Sequence, residues 1–236
     1  MHLTQPLPTQ APGVFTGGAN VIAVLILLAE FGMLRQALLR DHIRLYIGQS
    51  ALIAVLAVIV AAARHIPGLY VLAALTVAVK VIVIPLLLRR LLRETGPGSA
   101  QAGGPDIAGS GGLGAASTVL LAIVVAAFGF FAAGRLGIRS NAAPLTALSV
   151  SMSVVLVAFV LMSCRRDVVS QAIGLFSLEN GISLAALVVA ASLPLVLEVA
   201  LLFDLLLAVV VFGLLIRMHH GRARSLSTTG LTRLRG

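Results

Sequence analysis

Seven apolar runs follow one another along the chain, each about as long as a helix must be to cross hydrocarbon, and this succession dictates the class of fold. At 1.5 Å of rise per residue, about 20 residues cover the roughly 30 Å of a bilayer core. The runs fall at Ala19–Leu39, Leu45–Ala63, Leu69–Leu88, Ala115–Leu136, Ala142–Met162, Val168–Leu193 and Leu195–Met218. Charged residues are 11% of the chain and apolar residues 59%, with a mean hydropathy of +1.09, too little polar surface to clothe a water-soluble globule. The expected fold is therefore all-α, a polytopic membrane bundle of seven transmembrane helices.

Local punctuation supports these boundaries. Asn141 before Pro144, Asp167 before the sixth run, and Ser192 before Pro194 are residues suited to helix N-caps and first turns. Residues 95–114 are Gly, Pro, Ser and Ala with little hydrophobic bulk, a loop that divides the chain into halves. The expected organisation is an N-terminal three-helix unit over 1–94, the cytoplasmic loop, a linking helix over 115–139, a C-terminal three-helix unit over 140–218, and a basic tail over 219–236. Residues 1–18 lack Lys and Arg, hence the basic start of a cleavable signal peptide. A faint repeat relates the halves, because Arg40-Asp41 precedes Ile47-Gly48 at the offset by which Arg166-Asp167 precedes Ile173-Gly174.

The formal net charge of +9 has a membrane explanation. With the N-terminus outside, the arginines at 35–44, 89–93, 165–166 and 217–235 all collect on the cytoplasmic side, leaving Arg64, Arg135 and Arg139 on the other. That is the asymmetry of the positive-inside rule, and it places the C-terminus in the cytoplasm. The basic tail with His219-His220 then suits anionic lipid headgroups or a docked partner, and nucleic acid is not implied. Localisation in a membrane is expected.

Several chemistries find no support. One cysteine, Cys164, cannot form an internal disulfide or supply the thiolates of a structural zinc or iron–sulfur site. The stretch Gly109-Ser110-Gly111-Gly112-Leu113-Gly114 matches a dinucleotide pattern in letters only, since no strand precedes it and a membrane span follows. There is no P-loop lysine signature, helical pair of zinc-ligating histidines or nucleophile elbow. No catalytic centre, metal site or cofactor is expected in this chain. Gly129, Ala133 and Gly137 place a small residue at every fourth position of the fourth run, as close helix packing requires.

The sequence is most informative where it breaks its own apolar rule. Glu30, Lys80, Glu179, Glu198 and Asp204 lie inside the runs, where each charge costs on the order of 2.5–3.5 kcal/mol at a helix centre. Such groups must face other helices or water, and they are the candidates for proton transfer. Lys80 is the only lysine, and unlike arginine it can release its proton, so whether it stays charged depends on a carboxylate standing beside it. Five residues on, Pro85 cannot donate to the carbonyl of Val81, which predicts a helix interruption beside the lysine. Glu179 has Gln171, Ser177, Asn180 and Ser183 around it, so its helix should face protein or water. Asp204 lies deep in the seventh run and Glu198 nearer its outer end, about 9 Å apart along the axis. Glu30 is mid-helix, its nearest polar company in the run being Asn20 and Gln36. Pairing that merely fixes helix packing is the alternative to carrying protons for Lys80 and Glu30, and for Glu198 the alternative is simply to reach the outer interface.

The residues Arg165-Arg166-Asp167-Val168, Gln171-Ala172-Ile173-Gly174-Leu175 and Glu179-Asn180-Gly181 resemble the membrane component E of hydrogenase-4 and related formate hydrogenlyase complexes. The last three runs also resemble the small three-helix subunit K of NADH-quinone oxidoreductase and the corresponding small subunit of multisubunit sodium/proton antiporters. The resemblance to component E covers all seven runs, including Lys80 and Pro85; that to subunit K begins at Ala142. It implies a membrane subunit that translocates protons beside other membrane subunits, antiporter-like ones among them, with redox chemistry carried elsewhere in the complex. Subunit K places one glutamate in each of its last two helices. Here Phe176 occupies the first aligned place, with Glu179 about one turn beyond, and Asp204 rather than Glu198 takes the second. The autonomous alternative is a secondary transporter that exchanges cations for protons.

Overall fold

The computed structural model describes residues 14–36, 38–94, 114–135, 145–165 and 168–189, with further helical positions between 199 and 217. Among them, six helical stretches are long and apolar enough to cross a membrane. They are α1 (Val14–Arg35), α2 (Leu39–Arg64), a rod made of α3 (Gly68–Thr76), a π-helical stretch (Val77–Val83) and α4 (Ile84–Glu94), then α5 (Ala115–Arg135), α6 (Leu145–Cys164) and α7 (Val168–Val189). The described positions of the last apolar run are also helical, with Leu202, Leu205 and Val209 buried on one face. The chain is an all-α membrane protein.

The first apolar run ends sooner than hydropathy alone suggests. Hydropathy carries it to Leu39, but α1 stops at Arg35, where Arg165 donates to the carbonyls of Leu34 (2.8 Å) and Gln36 (2.9 Å). A guanidinium thereby satisfies carbonyls that the helix end leaves without an internal donor. The residues that follow are amphipathic: Leu39, His42 and Ile43 are buried while Arg40 and Arg44 are exposed, so α2 begins before its apolar run does. At its far end α2 closes with His65 in the left-handed region (φ 55°) and a bond from the Ile66 N–H to the Ala61 carbonyl. Pro67 follows and prevents continuation.

In the rod, the helix widens instead of breaking. The Ile84 N–H bonds the carbonyl of Val79, five residues back, and Lys80 lies at the middle of the widened stretch. Continuing that register sets the Lys80 carbonyl opposite Pro85, which has no N–H to donate.

Two apolar clusters hold the bundle. One joins Ala23 and Ile26 of α1, Ile53 and Leu56 of α2, Leu69 and Ala73 of α3, Val154 of α6 and Leu184 of α7. The other joins Met33, Tyr46, Ile84, Val157 and Phe176 with Ala122 of α5 and Leu205 of the last run. On α1, α2, the rod and α7, a set of buried polar residues falls in the gap between these clusters, namely Glu30, Gln49 and Ser50, Thr76 and Lys80, and Ser177 to Ser183, while His42 of α2 and Ser170 of α7 are buried outside it. The outward faces are apolar, as Val21, Leu28, Val124, Phe128 and Phe131 illustrate.

Glycines set how closely α6 is approached. A Cβ at Gly181 would lie 2.7 Å from Val155 Cγ2 and 3.0 Å from the Val155 backbone nitrogen; at Gly174 it would lie 2.6 Å from Met162 Cγ. From the other side, Gly129 of α5 leaves 2.9 Å to Leu156 and 3.1 Å to the Met152 backbone. Gly137, expected to extend that stripe, lies outside the described residues. Gly181→Ala is expected to destabilise the chain by about 1–3 kcal/mol, because a stiff valine and backbone must give way. Gly48→Ala, exposed with nothing within 4 Å of the added carbon, serves as the control and is expected to be neutral or slightly stabilising. Thermal unfolding of both variants in one detergent checks the pair.

Candidate functional site

The polar layer has two parts, and α7 contributes to both. Because a helix advances 100° per residue, Ser177 and Asn180 can face α2 while Glu179 and Ser183, four apart, share another face.

The first part is an ion pair. Lys80 Nζ lies 2.6 Å from Glu179 Oε1 and donates to Ser183 Oγ at 3.1 Å. Lys80 is fully buried and Glu179 nearly so, at 8% side-chain exposure, so neither charge is shared with bulk water. At that separation and depth the attraction is screened very little, and both groups depend on it.

The second part is a hydrogen-bonded cluster around Glu30. Gln49 Nε2 donates to Glu30 Oε2 at 2.9 Å and reaches the Ile26 carbonyl at 3.4 Å. The Ser177 hydroxyl contacts Glu30 Oε2 and lies 2.9 Å from Gln49 Oε1. Asn180 Nδ2 donates to Gln49 Oε1 at 2.9 Å and to Ser50 Oγ at 3.0 Å. Glu30, Gln49, Ser50, Ser177 and Asn180 are all fully buried, so three helices are tied together without water from outside. Glu30 Oε1 and Asn180 Oδ1 have no hydrogen-bond partner among the described residues. Tyr46, in the second apolar cluster, has its hydroxyl close to Ser50 and its ring 5.7 Å from that of Phe176.

Of the five ionisable residues singled out by sequence, the structure brings Lys80 and Glu179 together and places Glu30 in the neighbouring cluster. Glu198 and Asp204 lie outside the described residues. The company that Glu30 keeps is not Asn20 or Gln36: Asn20 accepts a hydrogen bond from Thr146, and the Gln36 carbonyl accepts from Arg165. Sequence reasoning does not single out Gln49, Ser50 or Tyr46. Gln49 and Ser50 are adjacent polar residues inside an apolar run, the same signal as a buried charge but without ionisation to draw attention to it. Among the described residues, no group of three or more His, Cys, Asp or Glu side chains is arranged to hold a metal ion.

Comparison with known proteins is sparse. No family model matches the chain, and no solved structure matches it. An uncharacterized protein of Mycobacterium tuberculosis, Rv0085, is 39% identical over 79 residues, which is 34% of this chain and 34% of that protein. The match thus spans about a third of the relative's length and carries no activity with it.

Removing one member of a buried pair strands the other. Lys80→Met and Glu179→Gln are each expected to cost about 3–5 kcal/mol, whereas Lys80→Met combined with Glu179→Leu recovers most of the loss. A double-mutant cycle read by unfolding in detergent tests this, and single variants costing under about 1 kcal/mol mean that the pair contributes little.

Proposed function

We propose that this chain is an integral membrane subunit of a hydrogenase-4-like assembly related to respiratory complex I, carrying buried protonatable groups of a proton-translocation path. Redox chemistry belongs to other subunits, and this chain holds no catalytic centre or cofactor of its own. Its partners in this reading are other membrane subunits, antiporter-like ones included, with anionic lipids at the cytoplasmic face. The full chain crosses the plasma membrane of a bacterium seven times, N-terminus outside, so that its basic loops and tail meet the cytoplasm.

The observation that carries the reading is the polar layer between two apolar clusters. Two carboxyls, an amine and several hydroxyls and amides occupy one level of four helical elements. Short hydrogen-bonded steps between protonatable groups are what proton movement through hydrocarbon requires. Lys80 and Glu179 are the central elements, Asp204 a further one in the last run, and Glu198 and Glu30 secondary. In operation, separating Lys80 from Glu179 deprives each of its compensating charge.

One observation favours a second reading. Lys80 and Glu179 are in direct contact and almost fully buried, the arrangement also used by a pair that only fixes helix packing. An autonomous cation/proton exchanger is the third possibility, with the same groups serving a different driving force. The assembled complex separates them. Glu179→Gln is expected to abolish proton pumping while the complex remains assembled; unchanged pumping and turnover remove Glu179 from the path. Loss of assembly with coupling intact in the remainder identifies an anchor. Ion-driven proton flux by the purified chain alone in vesicles identifies the exchanger.

A further inference from the structure

Four contacts join Glu30, Gln49, Ser177 and Asn180 to one another, and three hydrogens are left to fill them once the second amide hydrogens of Gln49 and Asn180 go to the Ile26 carbonyl and Ser50. Gln49 fills its contact with Glu30 Oε2, and Asn180 fills its contact with Gln49 Oε1. Ser177 touches both Glu30 Oε2 and Gln49 Oε1, yet its hydroxyl has one hydrogen to give. Turning the Gln49 amide over does not repair the deficit. With Asn180 turned over as well, the two Gln49 hydrogens would serve Ser177 Oγ and Asn180 Oδ1, but the Gln49 oxygen would meet Glu30 Oε2 with nothing between them, and the same oxygen would face the Ile26 carbonyl.

We propose that Glu30 is a proton-binding site, its carboxyl donating to Ser177, whose own hydrogen passes to Gln49 Oε1. The bound proton is the fourth hydrogen, and it supplies the single positive charge that a carboxylate at this depth needs. Basic groups nearby are otherwise committed. Lys80 is held by Glu179 and Ser183. His42, on α2, has Nδ1 within 3.1 Å of the Leu38 carbonyl and lies about two turns from Gln49. Tyr46 on α2 is an acid, and α6 has no ionisable side chain other than Cys164 at its end. An alkali cation would have to part oxygens that stand at hydrogen-bond spacing, whereas a proton fits between them. Ser177 and Gln49 are positioning residues: ionisation of Glu30 reverses the Ser177 hydroxyl toward the carboxylate, so its direction reports occupancy.

The inference rests on the proton-carrying reading of this layer but not on the assembly or on redox coupling. It is tested by infrared difference spectroscopy of the purified full chain in lipid vesicles. The wild-type chain is expected to show a protonated-carboxyl carbonyl band that is missing in Glu30→Gln. Ser177→Ala should keep the band but shift it, because the carbonyl-bearing acid loses its acceptor, and Ser177→Thr should return it. Exchanging potassium for sodium in the buffer should leave it in place. Loss of carboxylate bands instead of a carbonyl band in Glu30→Gln overturns the proposal, as does a band that sodium removes. Should Glu30→Gln fail to fold, a carbonyl band unmoved by Ser177→Ala overturns it equally. The band is independent of whether Glu179→Gln stops pumping, so failure here and failure of the functional reading are distinguishable.

Discussion

A polar side chain inside hydrocarbon has no water to fall back on, and the arrangement of this bundle follows from that constraint. Lys80 and Glu179 show it most directly, at 2.6 Å and out of reach of solvent. Each is tolerable only because the other is there, which fixes the rotation of the rod against α7. The Glu30 cluster does the same for α1, α2 and α7 through Gln49 and Ser177. Apolar clusters on either side are compatible with many rotations of a helix about its axis, since leucine and valine are interchangeable at modest cost. The polar layer is compatible with few, and it therefore sets the register between elements.

α6 is the counterpart to this layer. It has no charged side chain, and its neighbours come close because Gly129, Gly174 and Gly181 present no side chain to it. Gly174 and Gly181 are seven residues apart, nearly two full turns, so they share a face of α7. On a helical wheel, Glu179 and Ser183 lie roughly opposite that face, with Ser177 and Asn180 to one side. Close packing on α6 thus turns the polar edge of α7 toward α2 and Lys80. The fit of glycine against α6 and the ion pair on the far side are two consequences of one orientation.

Much of the architecture is legible in the sequence because length and hydropathy report directly on helices in hydrocarbon. The fourth, fifth and sixth runs correspond closely to α5, α6 and α7. The boundary between α1 and α2 is not legible, because Leu39 to Arg44 is an amphipathic turn whose polar face hides a helix from a hydropathy reading, and because the donor that stops α1 is Arg165, far away in sequence. Pro85 announces a disturbance in the third run, but a proline shows where a donor is missing and not how the backbone accommodates it. The π-helical register at Lys80 is a tertiary outcome. In the site, ionisable residues are conspicuous by their cost, while Gln49 and Ser50 are not, although Gln49 connects Glu30 to Asn180. Which faces meet is decided by packing, and no spacing within one helix states it.

The balance of charge in the layer discriminates between a scaffold and a path for protons. A buried pair or network can usually be replaced by well-packed apolar residues at little cost or with a gain, so holding helices together is a weak reason to keep one. Lys80 and Glu179 are at least self-compensating, and a scaffold reading accommodates them. Glu30 is different: among the described residues its hydrogen-bond partners are one amide and one hydroxyl, neither of them cationic. A scaffold could use glutamine at that position and keep the contacts to Ser177 and Gln49 without any need for a compensating charge. An acid in that place adds one property that an amide lacks, the ability to take up and release a proton.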